Sequence, residues 1–274
     1  MDLGLLDHTK KYILNLIKEG KRIDGRAIME YRKPITITFG VSKNAEGSAM
    51  VQWGKTVVAA GVKMEIGEPF PDTPDEGILV VSAELLPGAY PTYEPGPPGP
   101  EAIELARVVD RGLREGRTID LNKLVIKEGE KVWVIFLDIY VMNDDGNVYD
   151  ASALAAIAAL LDARFPKYDP EKDKIDYKEH TDQRLPIRNL PIAVTFAKVG
   201  EKIILDPKKE EEIASDAMIT VTSTEDKMIR AIQKYGRGTF TLEELDYIFD
   251  VALERAEQIR KILRVEAKKA GINI

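Results

Sequence analysis

Val132-Trp133-Val134-Ile135-Phe136-Leu137-Asp138-Ile139-Tyr140-Val141-Met142 is followed by the turn Asn143-Asp144-Asp145-Gly146-Asn147, and then by Ala151-Ser152-Ala153-Leu154-Ala155-Ala156-Ile157-Ala158-Ala159-Leu160-Leu161-Asp162-Ala163. The first segment is β-branched and aromatic with a single charge, the composition of a long central strand. The last is alanine-rich and apolar nearly all round, which predicts a helix covered on every side. Its small side chains permit close approach to a sheet. The pair therefore calls for strands and helices packed in layers.

Upstream, several more strands are expected. Ile35–Phe39 alternates, Ser48–Trp53 follows a glycine, and Ile78–Ala83 is a further candidate. Thr56–Val62 is continuously apolar, so both of its faces are expected to be buried. Gly54-Lys55 reads as the tight turn of a hairpin. Apolar positions at Leu3, Leu6, Ile13, Leu14, Leu16 and Ile17 predict an amphipathic helix ended by Gly20. Pro87 to Pro100 holds six prolines and three glycines. It can form neither a regular helix nor a central strand and reads as an extended loop, with Tyr90 and Tyr93 as its anchors.

Downstream, Asp169–Asp182 is charged and reads as a surface linker. Strands resume at Leu190–Phe196, Lys202–Leu205 and Ala217–Thr222. Thr241-Leu242-Glu243-Glu244 is a capping box, with Phe240 and Leu245 placed as a hydrophobic staple. The helix it opens runs to about Lys269 and stops at Gly271. A composition shift near 165–190 divides a larger part, residues 1–188, from a smaller part, residues 189–274.

With 274 residues, 44% of them hydrophobic and 31% charged, the chain buries a real core. It has no cysteine, hence no disulfide framework and no thiolate chemistry. His8 and His180 are its two histidines, and neither stands in a metal-ligand spacing. That argues against a histidine zinc site or a Ser-His-Asp triad. The opening residues carry early acidic groups, unlike a secretory signal. No apolar run approaches the ~20 residues of a membrane span. An intracellular, cytoplasmic protein is expected, without membrane contact and without a cofactor.

A net charge of −7 argues against bulk, nonspecific nucleic-acid binding but leaves room for a local basic track. Glu104-Leu105-Ala106-Arg107-Val108-Val109-Asp110-Arg111-Gly112-Leu113-Arg114 supplies one. On a helix, Arg107, Arg111 and Arg114 fall at i, i+4 and i+7, on one face. Spacing alone leaves two readings open. One is a strip for a polyanion whose phosphates pass in succession. The other is a solvated face in which Asp110 pairs with Arg107 and Arg114.

Arg22-Ile23-Asp24-Gly25-Arg26 resembles the opening signature of the RNase PH superfamily, and Gly47-Ser48-Ala49 resembles the start of that family's second strand. Glu84-Leu85-Leu86-Pro87, Glu94-Pro95-Gly96-Pro97-Pro98 and Glu104–Arg111 look most like one branch, the non-catalytic RNase PH-type ring subunit of the archaeal exosome. The likeness runs roughly from residue 10 to residue 270. It implies an α+β fold of two βαβ-type halves, like domain 2 of ribosomal protein S5. It implies an alternating hexameric ring, three copies each of this chain and a catalytic paralogue, under S1/KH-type cap proteins. Single-stranded RNA would be shortened from its 3′ end by attack of phosphate. In that branch the arginines matching Arg107 and Arg111 contact RNA phosphates, and Arg114 is a third candidate.

The same resemblance exposes departures. Active members carry a Gly-Gly-Thr/Ser-Arg turn that binds phosphate, where this chain has Gly146–Ala151 with Tyr149 in the arginine's place. Asp144, Asp145 and Asp150 crowd that turn, a field of the wrong sign for a phosphate dianion. The plain reading of the turn is a hairpin-like connection; a divalent cation at Asp144 and Asp145 is the alternative. Active members also carry two aspartates six apart. Asp216 matches the second, and Glu210 stands at the first, one methylene longer. Glu210–Glu212 is otherwise a solvated acidic surface. A non-catalytic, RNA-gripping subunit is the expectation. A self-sufficient phosphorolytic enzyme with metal at Glu210 and Asp216, or a scaffold that never meets RNA, are its competitors.

Overall fold

The apolar helix expected at Ala151–Ala163 is α3 (Val148–Asp162) of the computed structural model, which describes residues 3–273. By sequence order it is preceded by α1 (Leu3–Lys18), β1 (Ile35–Phe39), β2 (Gly47–Trp53), β3 (Thr56–Gly67), β4 (Ile78–Leu85), α2 (Pro100–Glu115), β5 (Val125–Lys127) and β6 (Lys131–Asn143). It is followed by β7 (Arg164–Asp169), β8 (Lys174–Arg184), β9 (Ile192–Val199), β10 (Lys202–Leu205), α4 (Lys209–Ala214), β11 (Ala217–Ser223), β12 (Ile229–Gly236) and α5 (Leu242–Lys269).

Helix α3 is the centre of the molecule because two sheets close on it. On one side lies a sheet of order β1-β2-β3-β6-β4, with β5 added beside β6. All its pairings are antiparallel except β4 with β6. That parallel pair requires a crossover, and the proline-rich loop and α2 form part of it. On the other side, β9 faces α3 from the antiparallel sheet β10-β9-β11-β12, and α5 packs behind β9 and β11. Leu154, Ile157, Leu160 and the alanines between them are buried. Each fully buried leucine or isoleucine contributes ~1.5–3 kcal/mol. Gly47 marks the tightest approach: a Cβ there would lie 2.4 Å from the Ala163 backbone, so no side chain fits.

The long strand is where expected, with Ile135, Leu137, Ile139 and Val141 paired against Met64, Val62, Ala60 and Val58 and all eight buried. β3 corrects one expectation. Its burial alternates, so Val57, Ala59 and Gly61 are only half-covered, and a single face meets α3. The outer face of this sheet leaves Val80, Tyr140 and Met142 exposed.

Residues 169–182 are a second correction. They belong to the β7–β8 hairpin, not to a linker. β8 has no buried face, so its sequence carries no apolar alternation. The hairpin is anchored at its base by Phe165 and Tyr168 against Trp133. The capping box at Thr241 is formed, with Thr241 Oγ1 and Glu244 exchanging hydrogen bonds with each other's backbone N–H.

Helix α1 opens the chain but packs on its second part. Ile13 and Ile17 pack with Ala197, Val199, Ile204 and Ala214, on the second sheet and α4. Just beyond it, the Arg-Ile-Asp-Gly-Arg segment ties the N-terminal part to the chain after β10. Arg22 grips the Glu211 carboxylate through Nε and Nη2 and donates to the Leu205 carbonyl at 2.7 Å. Arg26 donates to the Asp206 carbonyl at 2.9 Å.

Candidate nucleic-acid interface

Helix α2 starts at Pro100, where the fixed φ of proline suits the first turn. Leu105, Val108, Val109 and Leu113 are buried, and Gly112 lets the helix approach Thr222 of β11, whose Cγ2 would sit 3.3 Å from an added Cβ. This packing fixes the rotation of the helix and turns the arginine face outward.

The three arginines then part company. Arg107 is exposed and has no hydrogen-bond or ion-pair partner among the described residues. Arg111 is half-buried and donates through Nη1 to the Gln233 side-chain oxygen at 3.0 Å. Its partner is neutral, so its charge is not cancelled. Arg114 pairs with Asp110 at 2.7 Å and also donates to the Leu79 carbonyl at 3.1 Å. Asp110 thus serves Arg114 alone, and the fully paired surface reading of the strip holds for one arginine of three.

The turn after β6 presents the opposite arrangement. It leads from a strand into a helix, so it is not hairpin-like. Asp144 is buried and accepts from the Gly146 N–H at 2.9 Å, from the Tyr93 hydroxyl and from Lys209 Nζ at 2.6 Å. Asp145 lies 3.6 Å from both Arg32 and Lys208. Asp150 accepts from Thr195 Oγ1 at 2.7 Å, the Thr195 N–H at 3.0 Å and Asn147 Nδ2 at 2.8 Å. Burial outweighs these donors and pushes its carboxyl up to about 7. Burial also pushes Glu212 up to about 7, against the pull of Lys209. Lys209 itself is held above its ordinary value: burial opposes its charge, but Glu212 and Asp144 prevail.

Asp206 binds this turn to both parts of the chain. Its carboxylate accepts from Arg32 Nη2 at 2.9 Å, from the Arg32 backbone N–H at 2.7 Å, from Asn147 Nδ2 at 2.8 Å and from Trp53 Nε1 at 3.2 Å. Burial works against the Asp206 charge, yet Arg32 and Arg26 keep its carboxyl below the ordinary aspartate value. Arg32 also reaches the carbonyls of Asp145 and Gly146, at 2.6 and 2.8 Å. Gly146 has φ of +96°, and a Cβ there would meet the Lys208 carbonyl carbon at 2.5 Å. The turn is clamped shut against the segment leading into α4.

Tyr149 is half-buried with its ring centroid 4.6 Å from that of Tyr235, tilted by 35°. An aromatic pair fills the position, where an anion needs N–H donors and positive charge. Glu210 stands in the first turn of α4 with Lys208 at 3.8 Å. Asp216 accepts from the Gly200 N–H at 3.0 Å and lies 3.6 Å from Lys10. The two share no partner among the described residues. No group of three or more His, Cys, Asp or Glu side chains there converges as a metal site.

Sequence reasoning missed Gln233, Glu104 as its second partner, and the lysine pair Lys208-Lys209 that neutralises the turn. Local spacing carried no signal for them, because Arg111 and Gln233 are 122 residues apart and Lys209 and Asp144 are 65 apart.

Two family descriptions match in succession: the 3′ exoribonuclease family, domain 1, over residues 31–166, and its domain 2 over residues 189–255. Among curated proteins, the exosome complex component Rrp42 of Pyrococcus horikoshii is 48% identical over 264 residues, which is 96% of either chain. Among solved structures, a chain of the Archaeoglobus fulgidus exosome with RNA bound to the active site superimposes with a TM-score of 0.86 at 47% identity, over 94% of this chain and 98% of that one. A chain of an archaeal exosome core gives 0.84 at 43% identity, over 95% and 98%. With both domains matched in order and relatives aligned almost end to end, the chain belongs to the RNase PH family of 3′ exoribonucleases.

Proposed function

We propose that the chain is a non-catalytic ring subunit of a cytoplasmic exosome, one that guides single-stranded RNA and completes the active site of a neighbouring RNase PH-type subunit. The observation that carries this reading is the contrast in charge pairing. Arg107 and Arg111 keep uncancelled positive charge on the outer face of α2. The carboxylates of the 143–150 turn are consumed by lysines, arginines and hydrogen-bond donors of the same chain. A pair of guanidiniums one helical turn apart suits successive phosphates and reads no base, so the grip is sequence-blind. Arg114 plays a lesser part, since Asp110 already shares its charge.

In the reaction served, a phosphate oxygen attacks the last phosphodiester, the 3′ oxygen of the penultimate nucleotide leaves, and a nucleoside diphosphate is released. This chain's share is to hold the strand in line. The anion cradle belongs to the neighbour, in a ring of three copies of each subunit beneath S1/KH-type caps. The likeness to exosome components and to an RNA-bound exosome supports the assignment.

The test compares phosphate-dependent release of nucleoside diphosphates by the isolated chain and by the chain assembled with its paralogue. Activity is expected from the assembly alone. Release by the isolated chain would establish the self-sufficient enzyme instead.

A further inference from the structure

Gln233 sits on β12, the edge strand of the second sheet, in register with Thr220 of β11. It shares its face with Tyr235, which is stacked on Tyr149, while Ile232 and Lys234 alternate to the exposed side. The strand is therefore held both by its ladder and by an aromatic contact beside the glutamine. From this position the side chain makes two hydrogen bonds to α2. Its oxygen accepts from Arg111 Nη1 at 3.0 Å, and its Nε2 donates to Glu104 Oε1 at 3.1 Å. A guanidinium only donates and a carboxylate only accepts, so the orientation of the amide is fixed by its neighbours.

Glu104 and Arg111 are seven residues apart, two turns or about 10 Å of helix axis on the same side of α2. They carry opposite charges, and both side chains are long. Gln233 is the one hydrogen-bond partner of each among the described residues, so without it both charges would be free to turn toward each other. The amide separates them. It satisfies the carboxylate with a neutral donor and the guanidinium with a neutral acceptor, leaving Arg111 aimed, ordered and still fully charged. A direct ion pair would order Arg111 equally well but would spend the charge that a phosphate needs.

We infer that Gln233 is a positioning residue for Arg111, an insulating bridge that orients this arginine toward an RNA phosphate while keeping Glu104 from neutralising it. The inference rests on the RNA-guiding reading above and assigns the second half of the chain a part in it. The arginine is delivered by α2, and its aim is set by β12.

The experiment uses the chain assembled with its ring partner and a fluorescently labelled single-stranded oligoadenylate, with Kd measured across a salt series. Arg111→Ala is the reference, expected to weaken binding and to lower the salt slope by about one. Gln233→Glu places a carboxylate against Arg111, and is expected to weaken binding about tenfold, with the same loss of slope. Gln233→Leu, which removes the bridge without adding charge, is expected to weaken binding by a smaller factor and to add nothing in the Arg111→Ala background. A role confined to holding α2 against β12 would move the unfolding midpoint and leave the salt slope alone. If Arg111→Ala weakens binding while both Gln233 variants bind as the parent does, or if Gln233→Leu weakens the Arg111→Ala protein further, the bridge is refuted. If Arg111→Ala itself changes nothing, the RNA-guiding reading fails, and the inference falls with it.

Discussion

The outer face of α2 and the turn after β6 are both crowded with charge, and they use it in opposite ways. In the turn, each carboxylate has a lysine, an arginine or a set of N–H and O–H donors from its own chain, so none is left open to a ligand. On α2, Arg107 has no partner among the described residues and Arg111 only a neutral one, so their charge is available to a ligand. The lesson is that counting charged residues says little about a site. What matters is which charges the fold has already consumed, and that depends on residues distant in sequence.

The largest effect is expected where pairing is most complete. Asp206→Ala takes from buried Arg32 its nearer carboxylate, leaving Asp145 at 3.6 Å, and from Arg26 one of three. Removing one partner of such a buried cluster costs ~3–5 kcal/mol. Denaturant unfolding should show this loss. A cost under about 1 kcal/mol would mean that the turn is not clamped as described.

Acidity probes the same region more gently. Asp150 and Glu212 titrate near 7 in the folded chain and near the ordinary carboxylate range when unfolded. The folded state therefore holds more protons between those values, so their contribution is complete below about pH 4 and is lost as pH rises through about 7. Unfolding midpoints should fall from pH 5 to pH 8, at no more than about 1.4 kcal/mol per pH unit for each group. Asp150→Asn should flatten its share. A slope unchanged by that substitution would show that Asp150 is already ionised in the fold.

Tyr149→Arg asks whether one arginine at this position is enough to make a phosphate site. The stack on Tyr235 disappears, at a cost of ~0.5–1.5 kcal/mol. The isolated variant should release no nucleoside diphosphate, since the arginine would arrive among residues already clamped by Asp206 and Lys209. Phosphorolysis by that variant would show that a single residue separates the two regions.

Much of the fold was legible from local pattern. The all-round apolarity of α3, the β-branched run of β6 and the capping box at Thr241 each predict their element, because the cause lies within a few residues. The β7–β8 hairpin was not legible, because β8 buries neither face and has no apolar period to read. β3 was read as buried twice over because small residues such as Ala59 and Gly61 are apolar without being covered. At the site, the spacing of Arg107, Arg111 and Arg114 placed them correctly on one face of α2. Which of them remained unpaired was not legible. Gln233 reaches Arg111 from another sheet, and Asp110 had two arginines within reach and took one.

The most direct measurement of the central claim is RNA shortening by the assembled complex carrying Arg107→Glu and Arg111→Glu, followed alongside its mass and its unfolding. Neither side chain makes an ion pair among the described residues. Arg107→Glu should change stability by less than about 0.5 kcal/mol. Arg111→Glu, which loses the hydrogen bond to Gln233, should change it by about 0.5–1.5 kcal/mol, so the complex should still assemble. RNA binding and degradation should fall sharply, with the salt slope of binding reduced by about two. An intact complex that binds and degrades RNA as the parent does would contradict the account.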